Sequence, residues 1–289
     1  MYIKDLFDRK NPVISFEMFP PKPHLPLDSV LDAANSLAEL KPDFMSVTCG
    51  AGGSGKDSKT ISVASHIENN LNTTALAHLT CIISSKSEIK ETLTKLKEEN
   101  ISNILALRGD FPTGQEFNPD NMDFRHAIDL VREIKEFGGF CIGGACYPEG
   151  HIENESVEDD LNNLKAKVDA GVDFLTSQLF FDNNTFYSFL FRAAKKNINV
   201  PVIAGVMPVT SRSQIKRMCS LSGANLTSKF KNMLDKFYDK PESLKRAGIV
   251  YATEQIIDLI ANGVTGIHIY TMNRPEIAEE ICRNLKGII

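Results

Sequence analysis

Residues 141–178 read CIGGACYPEGHIENESVEDDLNNLKAKVDAGVDFLTSQ. The stretch opens on an apolar run, Cys141–Cys146, that breaks off at Tyr147. A helical pattern follows over Ser156–Ala170, and a second run, Phe174–Ser177, ends at Gln178. Strand, helix and strand in this order make a parallel pair joined by a crossover helix. The unit repeats on both sides. Val13–Phe16 runs into Glu17, Phe44–Val47 into Thr48, Thr74–Ala77 into His78, and Ile104–Leu107 into Arg108-Gly109-Asp110. Further on, Val202–Val206 runs into Met207, and Ile267–Ile269 into Tyr270 after a longer gap. Helical patterns such as Ser87–Asn100 and Phe124–Phe137 fill the intervals. Eight such units in 289 residues predict an α/β fold of one domain, a (β/α)8 TIM barrel, with all strand C-terminal ends around one mouth.

Composition suits that reading. The chain is 42% hydrophobic and 24% charged, enough apolar residue for a barrel of this length. A net charge of −5 gives no support to nucleic-acid or anionic-membrane binding. Met1–Phe7 lacks the apolar centre of a signal peptide, and no run approaches the roughly 18 apolar residues of a membrane span. The expectation is a soluble, cytoplasmic protein. Six cysteines include no CxxC pair and six histidines no HExxH; free core thiols in a reducing compartment and no metal site are expected. A helical insertion over about 221–260 should separate strands seven and eight.

Local signals refine the elements. A first helix over Leu27–Glu39 should bury Leu31, Ala34, Leu37 and Ala38. Asn100 suits a helix C-terminus. Ser156-Val157-Glu158-Asp159 has the form of a capping box, with Val157, Leu161, Leu164 and Val168 as the buried stripe beyond it. Gly50-Ala51-Gly52-Gly53-Ser54-Gly55-Lys56-Asp57 nearly spells a phosphate-binding loop. Asp57, however, stands where Ser or Thr should ligate magnesium, and the glycines read better as a loop lying close to a ligand.

Several strand-end residues carry chemistry, each with a plainer alternative. Glu17, between Phe16 and Phe19, is either a desolvated general acid or a solvated strand-end carboxylate. Arg108 and Asp110 could meet a phosphate and a ring edge across Gly109, or simply pair with each other. His78 could equally be a core-edge histidine. Asp160, Asn163 and Lys167, at i, i+3 and i+7, form a polar stripe that could run along a ribose and a phosphate, or face solvent. Gln178 can donate and accept together, as the amide-like edge of a heterocycle requires.

Taken in order, SFEMFPPK (15–22), SVTCGAGG (46–53), AHLTC (77–81), ALRGD (106–110), CYPEGH (146–151), DLNNLKAKVDAG (160–171), SQLFFD (177–182), GVMPV (205–209) and HIYTMNR (268–274) closely resemble the methylenetetrahydrofolate reductase family. The resemblance spans the chain and is of the bacterial type, the catalytic barrel without the regulatory domain of animal and fungal relatives. It implies FAD bound without a Rossmann domain, and reduction of 5,10-methylenetetrahydrofolate to 5-methyltetrahydrofolate by ping-pong hydride transfer. Glu17 matches the catalytic acid, and Asp110 a second catalytic group facing the folate. Thr48, His78, Arg108, Gly109, Asp110, Tyr147, His151, Asp160, Asn163 and Lys167 match the FAD-binding set; Gln178, Tyr270 and Arg274 fall on the substrate side. Cys49 stands where the family often has Tyr, and Leu179 where an aromatic is common. The resemblance leaves open whether NADH, NADPH or a redox-partner subunit supplies the electrons, and whether the chain forms a homo-oligomer.

Overall fold

The computed structural model describes residues 1–21, 25–49, 58–111, 122–211, 213–215, 218 and 223–289. Eight strands, β1 (Val13–Met18), β2 (Phe44–Val47), β3 (Thr74–Thr80), β4 (Asn103–Leu107), β5 (Cys141–Cys146), β6 (Phe174–Ser177), β7 (Val202–Val206) and β8 (Gly266–Tyr270), close into a barrel in sequence order. Each pairs in parallel with both neighbours, and β8 returns to β1 through Ser15↔His268 and Glu17↔Tyr270. Helices α1 (Asp28–Ala38), α2 (Ser58–Asn70), α3 (Lys86–Glu98), α4 (Ala127–Phe137), α5 (Val157–Asp169) and α6 (Asn183–Lys195) follow the first six strands. Of the elements described between β7 and β8, α7 (Ser228–Lys236) and α8 (Pro241–Ala261) come next, and α9 (Pro275–Asn284) follows β8.

The period-two alternation of a strand explains where the polar site can sit. In β1, Ile14, Phe16 and Met18 join the large cluster that the strands share with the helices. Val13 points the other way and meets Phe44, Leu76, Leu105, Cys141, Phe174 and Ile203 in a second, inner cluster. Ile3 and Leu6, from a short 3-10 helix (Ile3–Leu6), complete it, and Asn103 Oδ1 accepts from Ile3 N at 2.8 Å. One end of the barrel is thus filled with hydrocarbon. Further along the same inward faces come Ser15 and Glu17 of β1, Ser46 of β2, His78 of β3 and His268 of β8, all buried.

The sequence placed the strands well and some details less well. β1 runs through Glu17 to Met18 and β3 through His78 to Thr80, so both residues lie inside strands and not beyond them. α1 buries Val30, Ala33, Ala34 and Leu37, with Leu31 and Ala38 only partly covered. Asn100 takes φ +61° after α3, as a helix terminator does. Ser156 caps α5, its Oγ accepting from Asp159 N at 3.1 Å. The α5 stripe needs correction, since Val157 is exposed and Asp160 is buried beside Leu161 and Leu164. Gly50–Asp57, Lys22 and Leu221 lie outside the described residues.

Candidate active site

Glu17 is 7% exposed, so the solvated-carboxylate alternative falls. Its Oε2 faces two imidazoles, at 3.5 Å from His268 Nε2 and 3.7 Å from His78 Nε2. Neither distance is a hydrogen bond; the three groups form a close polar cluster. Thr271 Oγ1 donates to the Glu17 carbonyl at 2.7 Å and ties β1 to the end of β8. Ser15 Oγ donates to Ile267 O at 3.2 Å and lies 2.7 Å from His268 Nδ1. The hydroxyl has one proton for these two acceptors: given to the carbonyl it makes Nδ1 the ring donor, and given to Nδ1 it leaves the ring proton on Nε2, facing the carboxyl. Ser46 Oγ approaches that Nε2 at 3.4 Å. Burial lowers the His78 pKa to about 4, against the pull of the Glu17 charge, so this imidazole is neutral at pH 7.

Ser15, Ser46 and His268 are buried in this cluster and were not singled out by the sequence reading, although all three lie inside quoted motifs. The available signal was alternation. Ser15 precedes Glu17 by two and His268 precedes Tyr270 by two, so each pair shares an inward face.

Around the mouth the assigned residues have distinct surroundings. Tyr270 OH donates to Ser177 O at 2.8 Å; burial pushes its phenol well above the ordinary range. The ring crosses β7 at Gly205, where an added Cβ would stand 2.4 Å from Ser177 O and 2.7 Å from Tyr270 OH. Gln178 turns its Oε1 back to Leu179 N at 2.9 Å. Arg274 NH1 donates to Thr210 Oγ1 at 2.8 Å, beside a cavity of about 190 Å³ lined also by Gln214, Tyr270 and Thr271. Gly109, at φ +86°, lies so close to β3 that a Cβ would meet Thr80 Cβ at 2.9 Å. Close packing, and not only access for a ring, therefore requires glycine there. Arg108 pairs with Glu153 through two bonds of 2.5 and 2.8 Å, not with Asp110, which stands exposed.

Of the α5 polar stripe, Asp160 is buried and Lys167 half-buried. Asp160 Oδ1 accepts from Asn154 Nδ2 at 2.6 Å, and Asn154 Oδ1 accepts from Asn163 Nδ2 at 3.4 Å. Lys167 Nζ donates to Ala145 O at 2.6 Å; burial lowers its pKa. Tyr147 meets His151 edge to face at 4.6 Å, and burial pushes the Tyr147 phenol up to about 12. Asn163 is exposed.

A dinucleotide with a flat ring system fits these groups. Thr48 Oγ1 and His78 Nε2 are buried without a hydrogen-bond partner, as expected of atoms that a ligand ring would satisfy. Arg108 and Lys167 supply cations for phosphate, and the Asp160 carboxylate can accept from ribose hydroxyls. Among the described residues no group of three or more His, Cys, Asp or Glu could hold a metal ion, and no helix is long and apolar enough to cross a membrane. The buried thiols of Cys81, Cys141 and Cys146 are pushed up to about 12 by desolvation and are unreactive at neutral pH.

The fold and site define a TIM-barrel protein with a buried acid–imidazole cluster at the polar end of its barrel. The family model for methylenetetrahydrofolate reductase matches residues 2–286. The chain is 36% identical over 272 residues to the 5,10-methylenetetrahydrofolate reductase of Pectobacterium carotovorum subsp. carotovorum, covering 94% of this chain and 89% of that one. The Escherichia coli (strain K12) protein of the same name is 35% identical, at 94% and 90% coverage. Methylenetetrahydrofolate reductase (NADH) 1 of Arabidopsis thaliana is 34% identical over 99% of this chain but only 50% of its own length. The chain belongs to the methylenetetrahydrofolate reductase family. Among solved structures, an uncharacterized protein from Clostridium thermocellum that binds two copies of 5-methyl-5,6,7,8-tetrahydrofolic acid shares the fold, with TM-score 0.62 at 15% identity over 99% of this chain and 97% of that one. Tryptophan synthase from M. tuberculosis does so at 0.54 and 12%, over 97% and 96%.

Proposed function

We propose that this chain is a cytoplasmic enzyme that reduces 5,10-methylenetetrahydrofolate to 5-methyltetrahydrofolate, with FAD as its bound cofactor and NADH or NADPH as donor. The observation that carries the reading is the buried Glu17 carboxyl between two imidazoles, in a barrel of this family. FAD would be held by Thr48, His78, Arg108, Gly109, Asp110, Tyr147, His151, Asp160, Asn163 and Lys167, and when bound it supplies the hydride.

The side chains do the rest. Hydride can be accepted only at an electrophilic carbon, and the methylene bridge of the substrate is locked in a five-membered ring. Glu17 gives a proton to the departing nitrogen, which opens that ring to a cationic iminium. His268 Nε2 faces the same carboxyl from β8, where an imidazole protonated at Nδ1 would accept a hydrogen bond from the protonated acid. His78 is neutral, and so places no cation against the positive charge that develops on the folate. Asp110 supplies a negative charge that stabilises it. Gln178, Tyr270 and Arg274 bind the substrate, and one mouth used by donor and folate in turn gives ping-pong kinetics.

Two measurements test the reading. The purified protein should release about one FAD per chain on denaturation, and anaerobic NADH or NADPH should bleach the flavin in stopped flow. Stoichiometric FMN in place of FAD would overturn the cofactor assignment. Bleaching by dithionite but by neither nicotinamide would replace direct reduction with delivery from a redox partner.

A further inference from the structure

The loop between β5 and α5 carries two adjacent side chains that the cofactor set leaves out. Glu153 reaches back to the end of β4, where its Oε2 and Oε1 accept from Arg108 NH1 and NH2 at 2.5 and 2.8 Å. Arg108 Nε donates to Gly109 O at 3.2 Å. The guanidinium is thereby fixed in plane and direction, with one N–H on each terminal nitrogen still available. Asn154 reaches forward to α5. Its amide nitrogen donates to Asp160 Oδ1 at 2.6 Å, and its oxygen accepts from Asn163 Nδ2 at 3.4 Å. One loop thus grips three of the residues assigned to FAD, from two different elements. The grip leaves acceptor capacity on both residues, since the Asp160 carboxylate has more lone pairs than the Asn154 side chain and the His151 backbone donor occupy, and Asn163 keeps its own amide oxygen.

We propose that Glu153 and Asn154 are positioning residues of the dinucleotide site, holding Arg108 for a phosphate and Asp160 and Asn163 for a ribose. The inference rests on the FAD reading above. Groups that act in this way govern affinity through the residues they orient, without touching the ligand. Asn154 has a second consequence. Burial raises the Asp160 pKa, and the Asn154 donor is the strongest influence opposing that rise, ahead of the nearby His151 and Lys167 charges. Cys146 and Tyr147 also face this carboxylate, both as neutral groups at pH 7. Loss of the donor therefore leaves Asp160 protonated to higher pH, and a protonated carboxyl is a poorer acceptor for ribose hydroxyls.

The test is FAD release from the loaded protein on dilution, read by the fluorescence of freed flavin between pH 5 and 9. Glu153→Ala and Asn154→Ala should each weaken retention roughly tenfold at pH 7. The acid midpoint of release should move to higher pH in Asn154→Ala but not in Glu153→Ala, a difference that mere loosening of the loop would not produce. Asn154→Ser, which keeps a donor, should recover part of the midpoint. Retention at wild-type strength in both alanine variants, or tighter retention in either, would overturn the proposal while leaving the FAD reading intact. A wild-type protein that holds no FAD would remove both.

Discussion

Glu17 is placed by its surroundings rather than by a partner charge. Ser15, two residues earlier on the same inward face, meets His268 at Nδ1, and the ring tautomer decides whether Nε2 offers a lone pair or a proton to the carboxyl. Ser15→Ala removes the hydroxyl from Nδ1 and with it the bias that this contact places on the ring tautomer. The folate half-reaction should then slow by about tenfold, the scale of one net hydrogen bond, while FAD content stays at the wild-type level. Equal loss of flavin would assign Ser15 to packing instead. Lys167 is proposed for the other half of the site, the FAD side. Its replacement by Ala should weaken FAD retention by about 1.5–3 kcal/mol, as for a charged hydrogen bond, with little change in rate per bound flavin. A variant that holds FAD as tightly as wild type on dilution would return Lys167 to a purely structural contact with Ala145.

At the scale of elements, α5 joins fold to function. Its cap, Ser156, was legible because a hydroxyl three residues before a carboxylate ahead of an apolar stripe has one obvious use. Ser156→Ala should cost about 1 kcal/mol, read as a fall in Tm of roughly 2–4 °C. The stripe itself misled at Val157 and Asp160. Apolar periodicity assigns the buried face to hydrocarbon, whereas here a buried carboxylate is compensated by Asn154, nine residues away from Asn163 along the chain and absent from any helical pattern. The strands show the same limit. Apolar runs located all eight, but Glu17 and His78 looked like terminators because a polar residue normally ends such a run. Inside a barrel with a polar upper layer, the strand simply continues through it. Glu153 and its pair with Arg108 were invisible for another reason: 45 residues separate them, and only barrel closure brings their loops together.

For the whole molecule, a half-polar barrel carries a stability cost that depends on pH. His78 has a folded pKa near 4 against an ordinary 6.5. The unfolded chain therefore binds the extra proton between those values, and stability rises with pH across that window. The contribution is fully present above about pH 6.5 and is lost as pH falls toward 4, on the order of 3 kcal/mol in all. His78→Gln should flatten the dependence of unfolding free energy on pH in denaturant titrations from pH 4 to 7. An unchanged slope would mean that other groups dominate acid unfolding.

The central claim is that Glu17 is the acid that opens the folate ring. Rapid anaerobic mixing of the reduced flavoprotein with methylenetetrahydrofolate tests it most directly, with wild type set against Glu17→Gln, a variant of similar size and polarity that has no transferable acid proton. Flavin reoxidation should be slowed by roughly 10²–10⁴-fold in the variant, while its FAD content and its reduction by the nicotinamide remain close to wild type. Reoxidation of the Glu17→Gln protein at the wild-type rate would contradict the account.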